Sequence, residues 1–212
     1  MKNQEGPVQT PYKQFAEMFG QDFAGKMAIW SKQDMQTAFF SSDELAEAEK
    51  YALKKAETCD VYVGVGLVRD DIASGRGKAD DVVALPGFWL DVDLGSTGHK
   101  GTQYPPDQKT AWAIVKMFPV KPSLVVNSGY GLHVYWLFEH LLVLDTPERR
   151  EKAAALSKKF QQKMQELFAA QGYKIDNTSD LPRVLRIVGT INHKEGQRKK
   201  VRAIYPKQKE EK

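Results

Sequence analysis

Two aspartates, Asp91 and Asp93, stand one residue apart inside the apolar run "FWLDVDLG". Side chains alternate between faces along a strand, so Leu90, Val92 and Leu94 share one face and both carboxylates share the other. Their Cα atoms then lie roughly 6–7 Å apart, and like charges at that spacing repel. Two readings are open here. One is a strand end turning into the Gly-Ser-Thr-Gly loop, where aspartate is common; the other is a cation held between the carboxylates.

Further along, "NSGYGLHVYW" places a turn over Ser128, Gly129, Tyr130 and Gly131, whose small residues let the backbone approach a ligand. His133 follows on a strand, with Leu132, Val134, Trp136 and Phe138 facing the other way. A histidine in an apolar strand is usually a hydrogen-bonded core residue. Beside such a turn it is also an imidazole aimed at an anionic ligand. The stretch "KIDNTSDLPRVLRIVGTINHK" adds Asp176 at the end of a predicted strand, then Arg183 and Arg186 around Val184 and Leu185, then Asn192 and Lys194. A buried arginine needs an anion, either a phosphate chain or a structural partner such as Asp180 for Arg183. Taken together, three aspartates, a histidine, a serine turn and several cations describe a two-metal phosphoryl-transfer site.

The elements that must position these residues can be read from pattern. Polar residues 1–10 read as a disordered tail, and a short helix follows from Pro11 to Phe19. Strands are predicted at "MAIW", "MQTAFF" and "CDVYVGVGLV". Between them Ser41 and Glu44 form a capping box ahead of a helix with Leu45, Ala48, Ala52 and Ala56 as its stripe. "RDDIASGRGKADD" is a polar loop too long for a hairpin turn. A helix through "DQKTAWAIVKMF" and a hairpin in "SLVVNSGYGLHVYWLF" come next. Thr146, Pro147 and Gly172 bound the clearest helix, with Ala153, Leu156, Phe160, Met164 and Leu167 as its expected buried stripe. "YKID", "RVLRIV" and "KVRAIY" read as short strands. The mixture, with antiparallel pairs, gives a single α+β domain over 11–206 and a charged tail over 207–212.

Bulk composition narrows the classes. No apolar stretch reaches the length of a membrane span, and the N-terminus lacks a signal-peptide core. The single cysteine, Cys59, excludes an internal disulfide, a cysteine-based zinc site and an iron–sulfur cluster, and a cytoplasmic setting follows by default. Net charge is +4, but residues 183–212 hold ten Lys/Arg against three Glu, which points to a polyanionic partner. Arg198, Lys199, Lys200 and Arg202 are the basic residues expected on nucleic acid, with Arg76 and Lys78 of the "SGRGKADD" loop as a second candidate. Neither "GSTGHKGT" nor the Gly64–Gly66 pair fits a nucleotide-loop fingerprint.

In order, "WLDVDLG", "SGYGLHVYW" and "D…RVLRIVGTINHK" resemble the archaeo-eukaryotic primase superfamily, nearest its primase-polymerase and plasmid- and phage-type replication-primase branch. The resemblance covers about residues 58–205, and it departs at Val188, where many relatives have proline. It implies an RRM-like antiparallel sheet carrying the acidic residues, packed with an N-terminal α/β unit. It implies Asp91, Asp93 and Asp176 as ligands of Mg²⁺ or Mn²⁺, with Asp180 competing for the third place. Ser128, Gly129 and His133 would meet the triphosphate, with Arg183, Arg186, Asn192 and Lys194 beside it. The activity implied is that of a DNA primase or polymerase acting on nucleoside triphosphates and a single-stranded template or primer-template, with a helicase or other replication protein as a partner. Two rivals use parts of the same pattern. A single-strand-binding replication-initiation module keeps the fold without needing the aspartates, and a metal-dependent nuclease keeps the carboxylates without needing a triphosphate cradle.

Overall fold

The structure, a computed structural model, describes residues 9–95 and 103–205. The tail expected at 207–212 and residues 96–102 of the Gly-Ser-Thr-Gly loop lie outside them, as do residues 1–8. Thr10, assigned to the N-terminal tail from the sequence, instead caps a helix by accepting the Lys13 N–H. In chain order the elements are α1 (Pro11–Phe19), β1 (Met27–Ser31), β2 (Gln36–Phe40), α2 (Leu45–Lys55), β3 (Val61–Gly64), β4 (Leu67–Val68), β5 (Val82–Asp93) and α3 (Gln108–Val115). Then come β6 (Leu124–Asn127), β7 (Gly131–Val143), α4 (Pro147–Ala169), β8 (Val184–Arg186), β9 (Ile191–Asn192), β10 (Lys199–Lys200) and β11 (Arg202–Tyr205).

Two antiparallel sheets organise the described residues, with order β2-β1-β3-β8 in one and β11-β6-β7-β5-β4 in the other, beside a β9–β10 ribbon. Within the five-stranded sheet the run β5-α3-β6-β7-α4 is RRM-like: the strands lie in the order β6-β7-β5 and both helices cover one face. That face carries Leu90, Val92, Leu132 and Val134, packed on Ile114 and Val115 of α3 and on Met164 and Phe168 of α4. Fully burying each such side chain contributes about 1.5–3 kcal/mol. The other face carries Trp89, Leu124, Val126 and Tyr135 in a core shared with α1, α2 and the four-stranded sheet. This alternation puts Asp91, Asp93 and His133 between the two sheets, on the face opposite Leu90 and Val92.

Local signals explain most elements. The capping box forms, with the Ser41 N–H donating to Glu44 Oε2 at 2.9 Å, and Leu45, Ala48, Ala52 and Ala56 are all buried. Thr146 accepts the Arg149 N–H at the start of α4. The run "CDVYVGVGLV", read as one strand, divides into β3 and β4 in different sheets, and two further readings need correction. The buried stripe of α4 is Ala153, Ser157, Gln161, Met164 and Phe168, while Leu156 is 51% exposed. Ser157 and Gln161 go inward because backbone carbonyls await them: Ser157 Oγ donates to Ser179 O at 3.1 Å and Gln161 Nε2 to Trp89 O at 2.7 Å. "YKID" forms no strand. Its backbone groups are used singly, Tyr173 N–H to Phe168 O and Lys174 N–H to Gln103 O, so no ladder develops.

Candidate active site

A cavity of about 430 Å³ opens between the sheets, lined on one side by Asp91, Asp93, Ser128 and His133. Asp60, Tyr62, Arg186, Asn192 and Lys194 also line it. Asp91 and His133 are directly opposite each other in the β5–β7 ladder, with Asp91 Oδ1 3.4 Å from His133 Nε2. Burial pushes the Asp91 carboxyl up to about 6; the Asp176 charge adds to this, while Arg183, Arg186 and Lys194 pull the other way. Burial and the Arg186 charge push the His133 imidazole down to about 3, against the pull of Asp93. The imidazole is therefore neutral at physiological pH, and its contact with Asp91 is no ion pair. His133 Nδ1 is buried with no hydrogen-bond partner among the described residues. Leaving a buried polar atom unmade costs about 1–3 kcal/mol, a cost that a site residue can carry for a ligand.

Glycines set the approach of the site's backbone. Asp93 lies opposite Gly131, where a Cβ would come 2.3 Å from the Val92 carbonyl oxygen. At Gly129 the backbone is left-handed (φ +95°), and a Cβ would meet Lys199 Cβ at 3.0 Å. The Gly129 N–H donates to Asn127 Oδ1 at 2.8 Å. Asn192 ties this turn to the β9–β10 ribbon, donating from Nδ2 to Ser128 O at 2.6 Å and accepting the Lys194 N–H at 3.0 Å. Tyr130 donates its hydroxyl to Lys194 O at 2.9 Å and carries Lys199 Nζ 3.8 Å from its ring centroid.

The arginines split. Arg186 is buried and donates from Nη1 to Asp60 Oδ1 at 2.7 Å, with its guanidinium 4.7 Å from the Tyr62 ring centroid. Burial alone would raise the Asp60 pKa. Arg186, the His193 N–H and Gln33 outweigh it and hold the group below its ordinary value. Arg183 pairs with Asp180 three residues earlier, Nε to Oδ1 at 2.9 Å, so the structural ion pair open in the sequence is formed.

Asp176 accepts from Tyr104 Oη at 3.1 Å and is close enough for its charge to bear on Asp91; Asp180 is occupied by Arg183. The Asp176 segment is fastened to β5 by Trp89 Nε1, which donates to Thr178 O at 2.7 Å. Among the described residues no three His, Cys, Asp or Glu side chains form a group that could hold a metal. The donor set at the cavity is the Asp91–Asp93 pair. That fits Mg²⁺ or Mn²⁺ of the kind bound by one or two carboxylates and completed by substrate phosphates and water. It does not fit an all-protein cage.

Other expected contacts lie further out. Arg76 sits 5.0 Å from the Trp30 ring centroid, and the Lys78 N–H donates to Asp81 Oδ2 at 2.7 Å. Arg198, Lys200 and Arg202 are exposed, while Lys199 is half-buried on Tyr130. The sequence reading missed Asp60, Tyr62 and Lys32 at the cavity. One signal was present: Asp60 heads the apolar strand "VYVGVGL" much as Asp91 interrupts its own.

No family model and no curated protein matches the chain. Among solved structures, the AEP domain of the primase-polymerase of cyanophage S-2L is similar at TM-score 0.55 and 13% identity, over 92% of this chain and 90% of that one. At that identity the likeness is one of architecture, over most of both chains. The chain has the archaeo-eukaryotic primase fold that its motif order implies.

Proposed function

We propose that the chain is a primase-polymerase catalytic domain, a nucleotidyltransferase that adds nucleotides from nucleoside triphosphates to a hydroxyl, on a single-stranded DNA template, with pyrophosphate as the leaving group. The observation that carries this reading is the Asp91–Asp93 pair facing His133 in a cavity with Arg186 and Lys194, on this fold. Asp91 and Asp93 would hold Mg²⁺ or Mn²⁺, with Asp176 within charge reach; when bound, such ions polarise the phosphoryl group and favour ionisation of the attacking hydroxyl. His133, neutral and with a buried unpartnered nitrogen, offers an N–H to a phosphate oxygen. Lys194 supplies positive charge at the cavity wall, and Arg186 supplies it while fixed by Asp60. Ser128 and Gly129 hold the turn that lets the triphosphate lie against backbone. Asn192 braces that turn.

The test is incubation with primed and unprimed templates, labelled nucleotides and Mn²⁺, on wild type and Asp91→Asn. Primer extension or short de novo products are expected from wild type. Asp91→Asn should lose on the order of 10²–10³-fold in rate, the scale for removing one preorganised electrostatic group, with its fold intact. Full activity in the variant overturns the site. Shortened template identifies a nuclease instead, and a gel shift with no transfer identifies a binding module.

A further inference from the structure

One row of side chains crosses the four-stranded sheet. Trp30 of β1 is the register partner of Tyr62 of β3, and Tyr62 is the partner of Arg186 of β8. Directly opposed residues share a face, so the three form a continuous line that leads out of the cavity at Tyr62 and Arg186. The rings of Trp30 and Tyr62 lie 5.4 Å apart. Arg186 covers the Tyr62 ring at 4.7 Å and Arg76 covers the Trp30 ring at 5.0 Å. The alternate residues Ile29, Val63 and Leu185 already supply this sheet's buried face, so the hydrophobic core does not account for two half-buried aromatics in the row.

From this geometry we infer that the Trp30–Tyr62 row is a stacking platform for the bases of a single-stranded DNA, leading the strand into the cavity. The inference rests on the primase-polymerase reading and adds to it where the strand lies. Stacking needs an aromatic face, and a polyanion needs cations along its backbone. Here the aromatics are bracketed by Arg76 and Arg186, with Lys32 also at the cavity. Arg186 is held by Asp60 and stays. Arg76 is exposed on a loop, between Gly75 and Gly77 in left-handed backbone, and can exchange the Trp30 face for a phosphate as a base takes its place.

The test compares binding, by anisotropy at fixed salt, of labelled oligo-dT and an oligonucleotide of equal length carrying abasic sites. Wild type should prefer oligo-dT by about 10-fold or more, and Trp30→Ala should weaken oligo-dT binding by about 10- to 100-fold, the scale of one stacked base. The abasic strand should be bound almost equally by both proteins, which a merely structural role for Trp30 would not produce. Trp30→Phe should keep most of the preference. Trp30→Leu, which retains apolar bulk on β1 without a π face, replaces the alanine variant if that fails to fold. A folded variant lacking the ring yet keeping the preference overturns the platform, as does a wild type with no preference. Primer extension by wild type alongside that result leaves the primase-polymerase reading standing; absence of all single-strand binding removes both.

Discussion

Asp60 and Asp91 line one cavity from opposite sheets, and the fold treats the two carboxylates differently. Asp60 accepts from Arg186, from the His193 N–H and from Gln33, and these partners hold it below its ordinary pKa although burial works against them. Asp91 has the neutral His133 at 3.4 Å and no charged partner within ion-pair distance among the described residues, and burial pushes it up to about 6. A carboxylate whose charge is satisfied from within serves the fold; one whose charge the fold disfavours calls for a cation from outside. The difference lies in neighbours, not in residue type.

The contrast breaks most visibly at Asp60. Asp60→Ala leaves the Arg186 guanidinium buried without its partner, and such losses run to about 3–5 kcal/mol. Urea denaturation should report a loss on that scale. The pH dependence has a fixed sign. Because the folded pKa lies below the unfolded one, the Asp60 contribution is complete above about pH 4 and is lost as pH falls through the folded value. Asp60→Asn should therefore flatten the acid limb of the stability profile. A loss under about 1 kcal/mol would rank the pair with exposed salt bridges and erase the distinction from Asp91.

How far each carboxylate could be read from the sequence follows the same division. Asp91 and Asp93 stand out because local alternation puts two charges on a face that should be apolar. Asp60 signals itself only weakly, by heading an apolar strand, since its partner Arg186 is 126 residues away. The Arg183–Asp180 pair, three residues apart, was legible for the opposite reason. Periodicity counts apolar residues, so it gave α4 a stripe through Leu156 and could not see that Ser157 and Gln161 are buried to serve carbonyls on other segments. Asp176 was expected at the end of a strand that does not form. Its composition is strand-like, and only tertiary partners divert its backbone. The hairpin and α2, set by turn glycines and a capping box, needed no distant partner and were read correctly.

His133 sharpens the acidic side of the comparison. A hydrogen bond to a charged group is worth about 1.5–3 kcal/mol, so His133→Ala should lower kcat/KM for nucleotide by roughly 10- to 100-fold. Binding of template should change much less. Nucleotide titration under single-turnover conditions separates the two. If the variant loses stability and keeps its nucleotide affinity, His133 is a core residue and the cavity has lost its phosphate donor.

The smallest effect concerns the basic residues that follow the cavity, where the structure divides what the sequence grouped. Lys199 lies 3.8 Å from the Tyr130 ring centroid and against the Gly129 turn, whereas Lys200 and Arg202 are exposed. Lys199 is therefore expected at the nucleotide end of the site, and the other two along a strand passing outside it. Single-stranded DNA binding weakens with salt by a slope of about 0.7 per phosphate neutralised. Replacing Lys200 and Arg202 together by glutamine should flatten that slope by about 1.4 if both touch phosphate, on every template sequence, with the nucleotide KM at saturating template unmoved. Lys199→Gln should do the reverse, raising the nucleotide KM and sparing the slope. An unchanged slope in the double variant leaves Lys200 and Arg202 as charges that keep an edge strand from pairing with other chains. It also moves the strand's phosphate contacts to Arg76, on the aromatic side of the cavity.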